Sequence, residues 1–124
     1  MNILVIDDSD VARAVMEETL AKGGHRVIGL SSPIGATRVV LREHIDVVVI
    51  DLQMPDVRGD RIAKLFRTGP RTQKLGVVLV SGFDRTELEE LGKACEADVV
   101  VTKEDIRVHL PYAVMHAYAL RRKP

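Results

Sequence analysis

Three aspartates stand directly after apolar runs of the sequence: Asp7 and Asp8 after the first run, and Asp51 after a later one. Carboxylates brought together repel one another unless a cation lies between them. A hard divalent ion with oxygen ligands offsets that repulsion, and Mg²⁺ fits best. The three aspartates therefore predict a magnesium site if the fold brings them together.

A hydroxyl and an ammonium follow two further apolar runs, Ser81 in "VVLVSGFD" and Lys103 in "DVVVTKED". Mg²⁺ held by few carboxylates leaves positions for water and phosphate oxygens. The hydroxyl and the fixed ammonium suit the peripheral oxygens of a phosphoryl group. Asp51 is the natural nucleophile, because a carboxylate can form an acyl phosphate. The chemistry predicted is an in-line phosphoryl transfer that depends on positioning and electrostatics.

These groups can meet only if the preceding segments are strands that end at one edge of a sheet. Four runs rich in Val, Ile and Leu lack polar alternation, which favours strands buried on both faces. They are Ile3–Ile6, Val47–Ile50, Val77–Val80 and Val99–Val101, with His25–Leu30 as a weaker fifth candidate. Helical segments separate them, and this alternation predicts a parallel sheet with helices on both faces. Ligands of such sheets bind at the carboxyl ends of the strands.

Each helix is predicted from an apolar stripe and its flanking residues. The first helix is predicted to begin at an N-cap formed by Ser9 or Asp10 and to end before Gly23-Gly24. The second is expected to begin at Ser32-Pro33 and the last at Pro111, where proline suits a first turn. The predicted inward-facing residues are Ala12, Val15, Met16, Leu20, Ala36, Val39, Val40, Ile62, Leu65, Phe66, Leu88, Leu91, Cys95, Val114, Ala117 and Tyr118.

Length and composition predict one intracellular domain, residues 1–124. Hydrophobic residues make up 46% and charged residues 29%, a globular balance. The formal net charge of zero predicts no basic face for nucleic acid or an anionic membrane. The lone Cys95 allows no intramolecular disulfide, and we see neither a signal peptide nor an apolar run near the about 18 residues of a membrane span. A cytoplasmic location is expected.

In order and spacing, these residues resemble the receiver domains of two-component response regulators, the CheY-like family. The resemblance rests on the acidic pair, on "DLQMPDVRG" as a D-x-x-M-P-x-x-x-G loop, on Ser81 thirty residues after Asp51, and on Lys103 twenty-two residues later. It covers essentially the whole chain. It implies a flavodoxin-like, doubly wound sheet of five parallel strands in the order 2-1-3-4-5, with helices on both faces.

The resemblance also implies a role for each acidic residue. Asp51 would be the phosphoacceptor, taking its phosphoryl group from a sensor histidine kinase or a phosphotransfer protein. Asp8 and Asp51 would bind Mg²⁺ directly, together with the backbone carbonyl of Gln53, and Asp7 would act mainly through water. The domain would catalyse its own phosphorylation and dephosphorylation without being an enzyme that turns over a substrate.

Further implied roles concern the response to phosphorylation. Ser81 and Lys103 would bind the phosphoryl oxygens and pass the change to a downstream output protein or domain. Pro55 and Gly59 would shape the loop into the third helix. A homodimer is a further expected mode of association. Phe83, two residues after Ser81, is expected to overhang the site and shield the phosphoryl group from water.

Two positions depart from the family pattern. Val100 stands three residues before the lysine, where the family has a Tyr or Phe that swings inward, and the stiff χ1 of valine makes it a poor switch. Glu104 replaces a proline that often follows a cis peptide bond. A cis Lys103–Glu104 bond would cost about 3 kcal/mol, so we predict a trans bond and a rearranged loop.

Other interpretations stay open at this stage. A phospho-independent binding module is favoured by Val100 and Glu104. An aspartyl-phosphate phosphatase would carry a second aspartate where this chain has Gln53, and a flavin site would need a Gly- or Ser/Thr-rich loop after the first strand. The basic residues Arg67, Arg71 and Lys74 around Gly69-Pro70 predict a solvated loop, with a docking surface as the less favoured alternative. The final "RRKP" predicts a plain tail, a helix-end charge match or the start of a linker.

Overall fold

A computed structural model of the chain describes residues 1–54, 58–82 and 84–122. Five strands and five helices alternate along these residues. They are β1 (Asn2–Ile6), α1 (Asp10–Lys22), β2 (Arg26–Leu30), α2 (Ala36–Arg42), β3 (Val47–Asp51), α3 (Gly59–Thr68), β4 (Gly76–Ser81), α4 (Arg85–Ala94), β5 (Val99–Thr102) and α5 (Ile106–Arg122). The predicted alternation is therefore confirmed. The expectations for Pro55 and Phe83 lie outside the described residues.

The strands form one parallel sheet in the order β2-β1-β3-β4-β5, as predicted. The central strands β3 and β4 are buried along their whole length, which explains why their sequences show no polar alternation. The order reverses beside β1, so that the carboxyl ends of β1 and β3 lie next to each other at the switch point. The residues that follow these two strands therefore meet in space.

Helices cover both faces of the sheet, and each face has its own apolar cluster. On one face, alternate strand residues pack against buried residues of α1 and α5, such as Met16, Leu20 and Val114. On the other face, the remaining strand residues pack against α2, α3 and α4, where Phe66 and Cys95 are buried. The predicted core role of Cys95 is thereby confirmed. No helix in the described part of the chain combines the length and apolarity that a membrane crossing requires.

The start of α2 differs from the prediction. The helix begins at Ala36, with Gly35 before it in the left-handed region at φ 80°. The Ser32 hydroxyl accepts a hydrogen bond from the Ile34 N–H at 3.1 Å, and the Pro33 carbonyl accepts one from Ala36 at 3.0 Å. The Ser-Pro pair therefore forms a turn that precedes the helix, and its predicted role as cap and first residue is wrong.

The start of α5 also differs, because Pro111 lies inside the helix and not at its first turn. The helix begins at Ile106, after Asp105 in the left-handed region at φ 53°. Ile106 packs against the core and Leu110 is fully buried, so the turns before the proline are fixed by tertiary packing. This packing outweighs the local cost of a proline, which propensity alone would place at a helix start.

Helix α3 presents a different face than its apolar residues suggest. Gly59, Ala63 and Phe66 are buried, whereas Leu65 is 65% exposed, so its predicted inward position is wrong. Gly59, Ala63 and Phe66 form one helical stripe at spacing i, i+4, i+7 that faces the sheet, and Leu65 lies outside that stripe. Ile62 packs partly against the core, as predicted.

Arg67 is buried and ion-paired, and its predicted place in a solvated loop is wrong. Its side chain is 5% exposed, and its Nη2 lies 2.6 Å from Oδ2 of the equally buried Asp98. Asp98 also accepts from Arg121 Nε at 2.9 Å and from the Val77 N–H at 2.8 Å. This Asp98 cluster fastens the end of α3 and the end of α5 to the sheet. In contrast, Arg71 is exposed, as predicted for that loop.

The final "RRKP" is in part a helix end, because Arg121 and Arg122 form the last turn of α5. Arg122 Nη2 lies 2.8 Å from Asp46 Oδ1, and its guanidinium lies 4.6 Å from the centre of the Tyr118 ring. Of the three interpretations, the helix-end charge match describes these two residues. Lys123 and Pro124 lie outside the described part of the chain.

Candidate functional site

The carboxyl edge of the sheet brings the predicted chemical groups together. Ile6 of β1 pairs with Ile50 of β3, so Asp7 and Asp51 follow at the same level of neighbouring strands. Ser81 ends β4, and its carbonyl accepts a hydrogen bond from the Lys103 N–H at 2.9 Å. Strand pairing alone thus positions four groups that are far apart in sequence.

The three aspartates form a compact acidic cluster. One carboxylate oxygen from each of Asp7, Asp8 and Asp51 lies within 4.8 Å of the others. Asp7 is fully buried and Asp51 is 1% exposed, whereas Asp8 faces solvent. Two carboxylates are therefore removed from water and one remains at the mouth of the site.

Asp7 has one satisfied and one orphaned oxygen. Its Oδ1 accepts a hydrogen bond from the Ser9 N–H at 2.9 Å, and Ser9 in turn caps α1. Its Oδ2 is buried without a hydrogen-bond partner. Burial raises the pKa of Asp7, and the nearby Asp51 raises it further, against the lowering effects of the Ser9 hydrogen bond and of Lys103. A buried acceptor without a donor points to a missing cation or bound water.

Lys103 is the ammonium that faces this cluster. Its Nζ lies 3.5 Å from Asp51 Oδ2 and 3.9 Å from Asp7 Oδ2, and its side chain is 34% exposed. Three carboxylates thus face one ammonium, which leaves an excess of negative charge. This excess and the orphaned Asp7 oxygen fit a divalent cation with oxygen ligands. The donor set of hard carboxylates suits Mg²⁺, Ca²⁺ or Mn²⁺.

Gln53 connects two loops above the site. Its N–H donates to Asp51 Oδ1 at 3.1 Å, and its side-chain Oε1 accepts from the Gly82 N–H at 2.9 Å. The loop after β3 is thereby joined to the loop after β4. No pattern in the sequence indicates this side-chain contact, because it depends on the distance between two loops that only the folded sheet defines.

Gly59 allows α3 to begin directly against the end of β3. A Cβ atom at this position would lie 2.5 Å from the Asp51 carbonyl oxygen and 2.8 Å from Ile50 Cγ2. Real Cβ atoms do not approach a backbone atom so closely, so any other residue would push the helix away. The resemblance implied that Gly59 shapes the loop into α3; residues 55–57 of that loop lie outside the described part of the chain, so this expectation stays a prediction.

The two departures from the family pattern lie beside the site. Val100 is half-buried on β5 and packs under α4, where a Cβ on Gly92 would lie 2.6 Å from Val100 Cγ1. No cis peptide bond occurs in the described residues, so the Lys103–Glu104 bond is trans, as predicted. Asp105 then takes up the left-handed conformation that turns the chain into α5.

Comparisons with known proteins agree with this geometry. The family model described as "Response regulator receiver domain" matches residues 3–114. The chain is 28% identical over 116 residues to the response regulator protein FleR of Pseudomonas aeruginosa, covering 93% of this chain and 24% of FleR. It is 31% identical over 96 residues to the sensor histidine kinase RcsC of Escherichia coli, covering 77% of this chain and 10% of RcsC. The chain thus spans a quarter or less of the length of these two relatives.

A solved structure supports the same fold. A response regulator receiver domain protein from Clostridium thermocellum superposes with a TM-score of 0.84. The two share 24% sequence identity, and the match covers 98% of this chain and 96% of that one.

Proposed function

Because the chain belongs to the response regulator receiver domain family, we propose that it accepts a phosphoryl group on Asp51 from a sensor histidine kinase or a phosphotransfer protein. The proposal places this reaction in the cytoplasm, with output through protein–protein contacts. The observation that supports it is a buried Asp51 carboxylate that belongs to the acidic cluster and faces the Lys103 ammonium.

The chain's own residues would orient the acceptor and hold the transferred group. The Gln53 N–H fixes Asp51 Oδ1, which leaves Oδ2 as the oxygen that bonds to phosphorus. The P–N bond of the donor phosphohistidine breaks, and its electron pair returns to the imidazole. Lys103 already lies 3.5 Å from Asp51 Oδ2, so its ammonium would bind an incoming phosphoryl oxygen with little movement. The Ser81 hydroxyl would donate a hydrogen bond to a second phosphoryl oxygen.

The acidic cluster would hold the metal ion. Asp8 and Asp51 would bind Mg²⁺ directly with the Gln53 backbone carbonyl, and Asp7 would act mainly through water. The bound ion would offset the negative charge that accumulates during transfer. The orphaned Asp7 oxygen and the excess of carboxylates over ammonium support this assignment.

The proposed output does not use an aromatic switch. Val100 packs closely under Gly92 of α4, and a valine has little side chain to relocate. The Gln53–Gly82 hydrogen bond offers a different connection, because it ties the acceptor loop to the loop that leads into α4. We assign the response to phosphorylation to this pair of loops.

Intact mass spectrometry tests the acceptor assignment. The wild type, incubated with a small acyl phosphate, is expected to gain one phosphoryl group in the presence of Mg²⁺ and none with a chelator. Asp51→Asn should gain none. Asp105→Asn is a matched control, since this exposed aspartate has a positive φ that asparagine readily adopts. Equal labelling of wild type and Asp51→Asn would reject the assignment.

A phospho-independent binding module is the second candidate, and the tight Val100–Gly92 packing and Glu104 favour it. It becomes the better-supported function if no phosphoryl adduct forms on the chain under any of these conditions. A phosphatase is disfavoured because Gln53 uses its side-chain oxygen to accept from Gly82 and offers no acidic proton.

A further inference from the structure

The amino edge of the sheet, opposite the acidic cluster, contains a cleft of about 330 Å³. It lies between the end of α2 with the turn into β3, the loop from α3 to β4, and the end of α5. This volume lies within the usual range for small-molecule sites. The side chains that line it include one aromatic ring and several cations: Tyr118, Arg71, Lys74, Arg121 and Arg122.

Among the residues that the structure describes, the cations of the α3–β4 loop have no carboxylate partner. Within the described part of the chain, neither Arg71 nor Lys74 forms a salt bridge, whereas Arg122 is paired with Asp46 at 2.8 Å. The other oxygen of Asp46 accepts the Asn2 N–H at 2.8 Å, so this carboxylate is fully engaged. Because the two loop cations lie beyond the last turn of α3, the helix dipole does not account for them.

The Asp98 cluster adds positive charge behind the cleft. A single carboxylate, Asp98, is shared there between the guanidinium groups of Arg67 and Arg121. Burial lowers the pKa of Arg67, while Asp98 raises it by more than Arg121 lowers it. The chain as a whole has no net charge, so this concentration of cations is local.

Apolar side chains form another part of the wall, together with the polar residues His44 and Thr72. Val40, Ile45 and Leu75 are buried at its base, and Tyr118 is half-buried with Arg122 over its ring. The carbonyl ends of α2 and α5 also face this edge, so an anion would have to engage the loop cations instead of the helix ends. The cleft thus offers cations on one side and an apolar surface on another.

We propose that this cleft binds a small organic phosphate, with its phosphate at Arg71 and Lys74 and its less polar part along Ile45 and Tyr118. This site is separate from the acidic cluster, since the two lie at opposite ends of the strands. Its existence does not depend on phosphorylation of Asp51. A phospholipid headgroup presents the same phosphate chemistry and must be distinguished by experiment.

Amide NMR of the ¹⁵N-labelled chain tests the proposal, with adenosine monophosphate and inorganic phosphate as probes. A chelator removes divalent cations, so that no metal ion bridges phosphate to the aspartates. We expect saturable shifts confined to residues 40–46, 71–75 and 118–122, and tighter binding of the nucleotide than of inorganic phosphate. The double variant Arg71→Gln/Lys74→Gln should raise the Kd about ten-fold or more, because it removes two charge-assisted contacts.

The matched control is Arg38→Gln/Lys93→Gln, which removes two exposed cations that do not line the cleft and form no salt bridge in the described residues. The Kd of this control should stay within about two-fold of the wild type, since distant exposed charges are screened. An equal loss of affinity in both double variants would overturn the proposal in favour of diffuse charge attraction. Shifts centred on the acidic cluster would also overturn it. So would co-sedimentation with phosphatidic acid vesicles without any response to the nucleotide, which would assign the cleft to a lipid headgroup.

Discussion

Replacing Asp98 by alanine should strongly destabilise the protein. The change removes the acceptor of two guanidinium groups and of the Val77 N–H. Loss of one partner of a buried ion pair costs about 3–5 kcal/mol, because the other charge remains buried. Arg67 keeps three carbonyl partners, at 2.9, 3.1 and 2.6 Å, so the cost should lie near the lower end, at about 3 kcal/mol. The free energy of unfolding of a domain of this size is only about 5–15 kcal/mol in total.

Urea unfolding at neutral pH measures this cost as a lower midpoint with an unchanged slope. Glu89→Ala serves as the control, since Glu89 is paired with Arg85 on the exposed surface of α4 and should change stability by less than about 0.5 kcal/mol. A double-mutant cycle with Arg67→Ala isolates the pair, and we expect a coupling of about 2 kcal/mol. A loss below about 1 kcal/mol for Asp98→Ala, or a coupling near zero, would refute the reasoning.

Two further predictions concern the acidic cluster. The raised pKa of Asp7 means that the folded state binds more protons than the unfolded state above the ordinary value of 3.8, so stability should fall as pH rises through that window. Without Mg²⁺, Asp7→Asn should therefore raise the free energy of unfolding at neutral pH and flatten its pH dependence, as measured by urea unfolding across pH; a lower free energy of unfolding would contradict this prediction. Gly59→Ala should cost about 1–3 kcal/mol and slow the labelling of Asp51, because its Cβ would press on the Asp51 carbonyl; unchanged midpoint and labelling rate would contradict this.

The sequence predicted the sheet well because its signals are local and strong. Uninterrupted Val/Ile/Leu runs define strands buried on both faces, and polar residues at their ends mark one edge. The structure brings Asp7, Asp8, Asp51, Ser81 and Lys103 to that edge.

Features that depend on tertiary contacts were not predictable in the same way. Pro111 lies within α5 because Leu110 and its neighbours are fixed by the core, and Leu65 faces outward because α3 buries the stripe of Gly59, Ala63 and Phe66 instead. Arg67 and Asp98 are 31 positions apart in the chain, so no local pattern signals their pairing. The Gln53–Gly82 hydrogen bond was missed for the same reason.

The contact between Gly59 and the Asp51 carbonyl has a mechanical consequence. Where side chains separate two elements, a small displacement is absorbed by changes of rotamer. Here a helix backbone lies directly against a strand backbone, with no rotatable group between them. A shift of the Asp51 main chain by a fraction of an ångström would therefore be transmitted to the first turn of α3 without loss. This junction acts as a stiff linkage between β3 and α3.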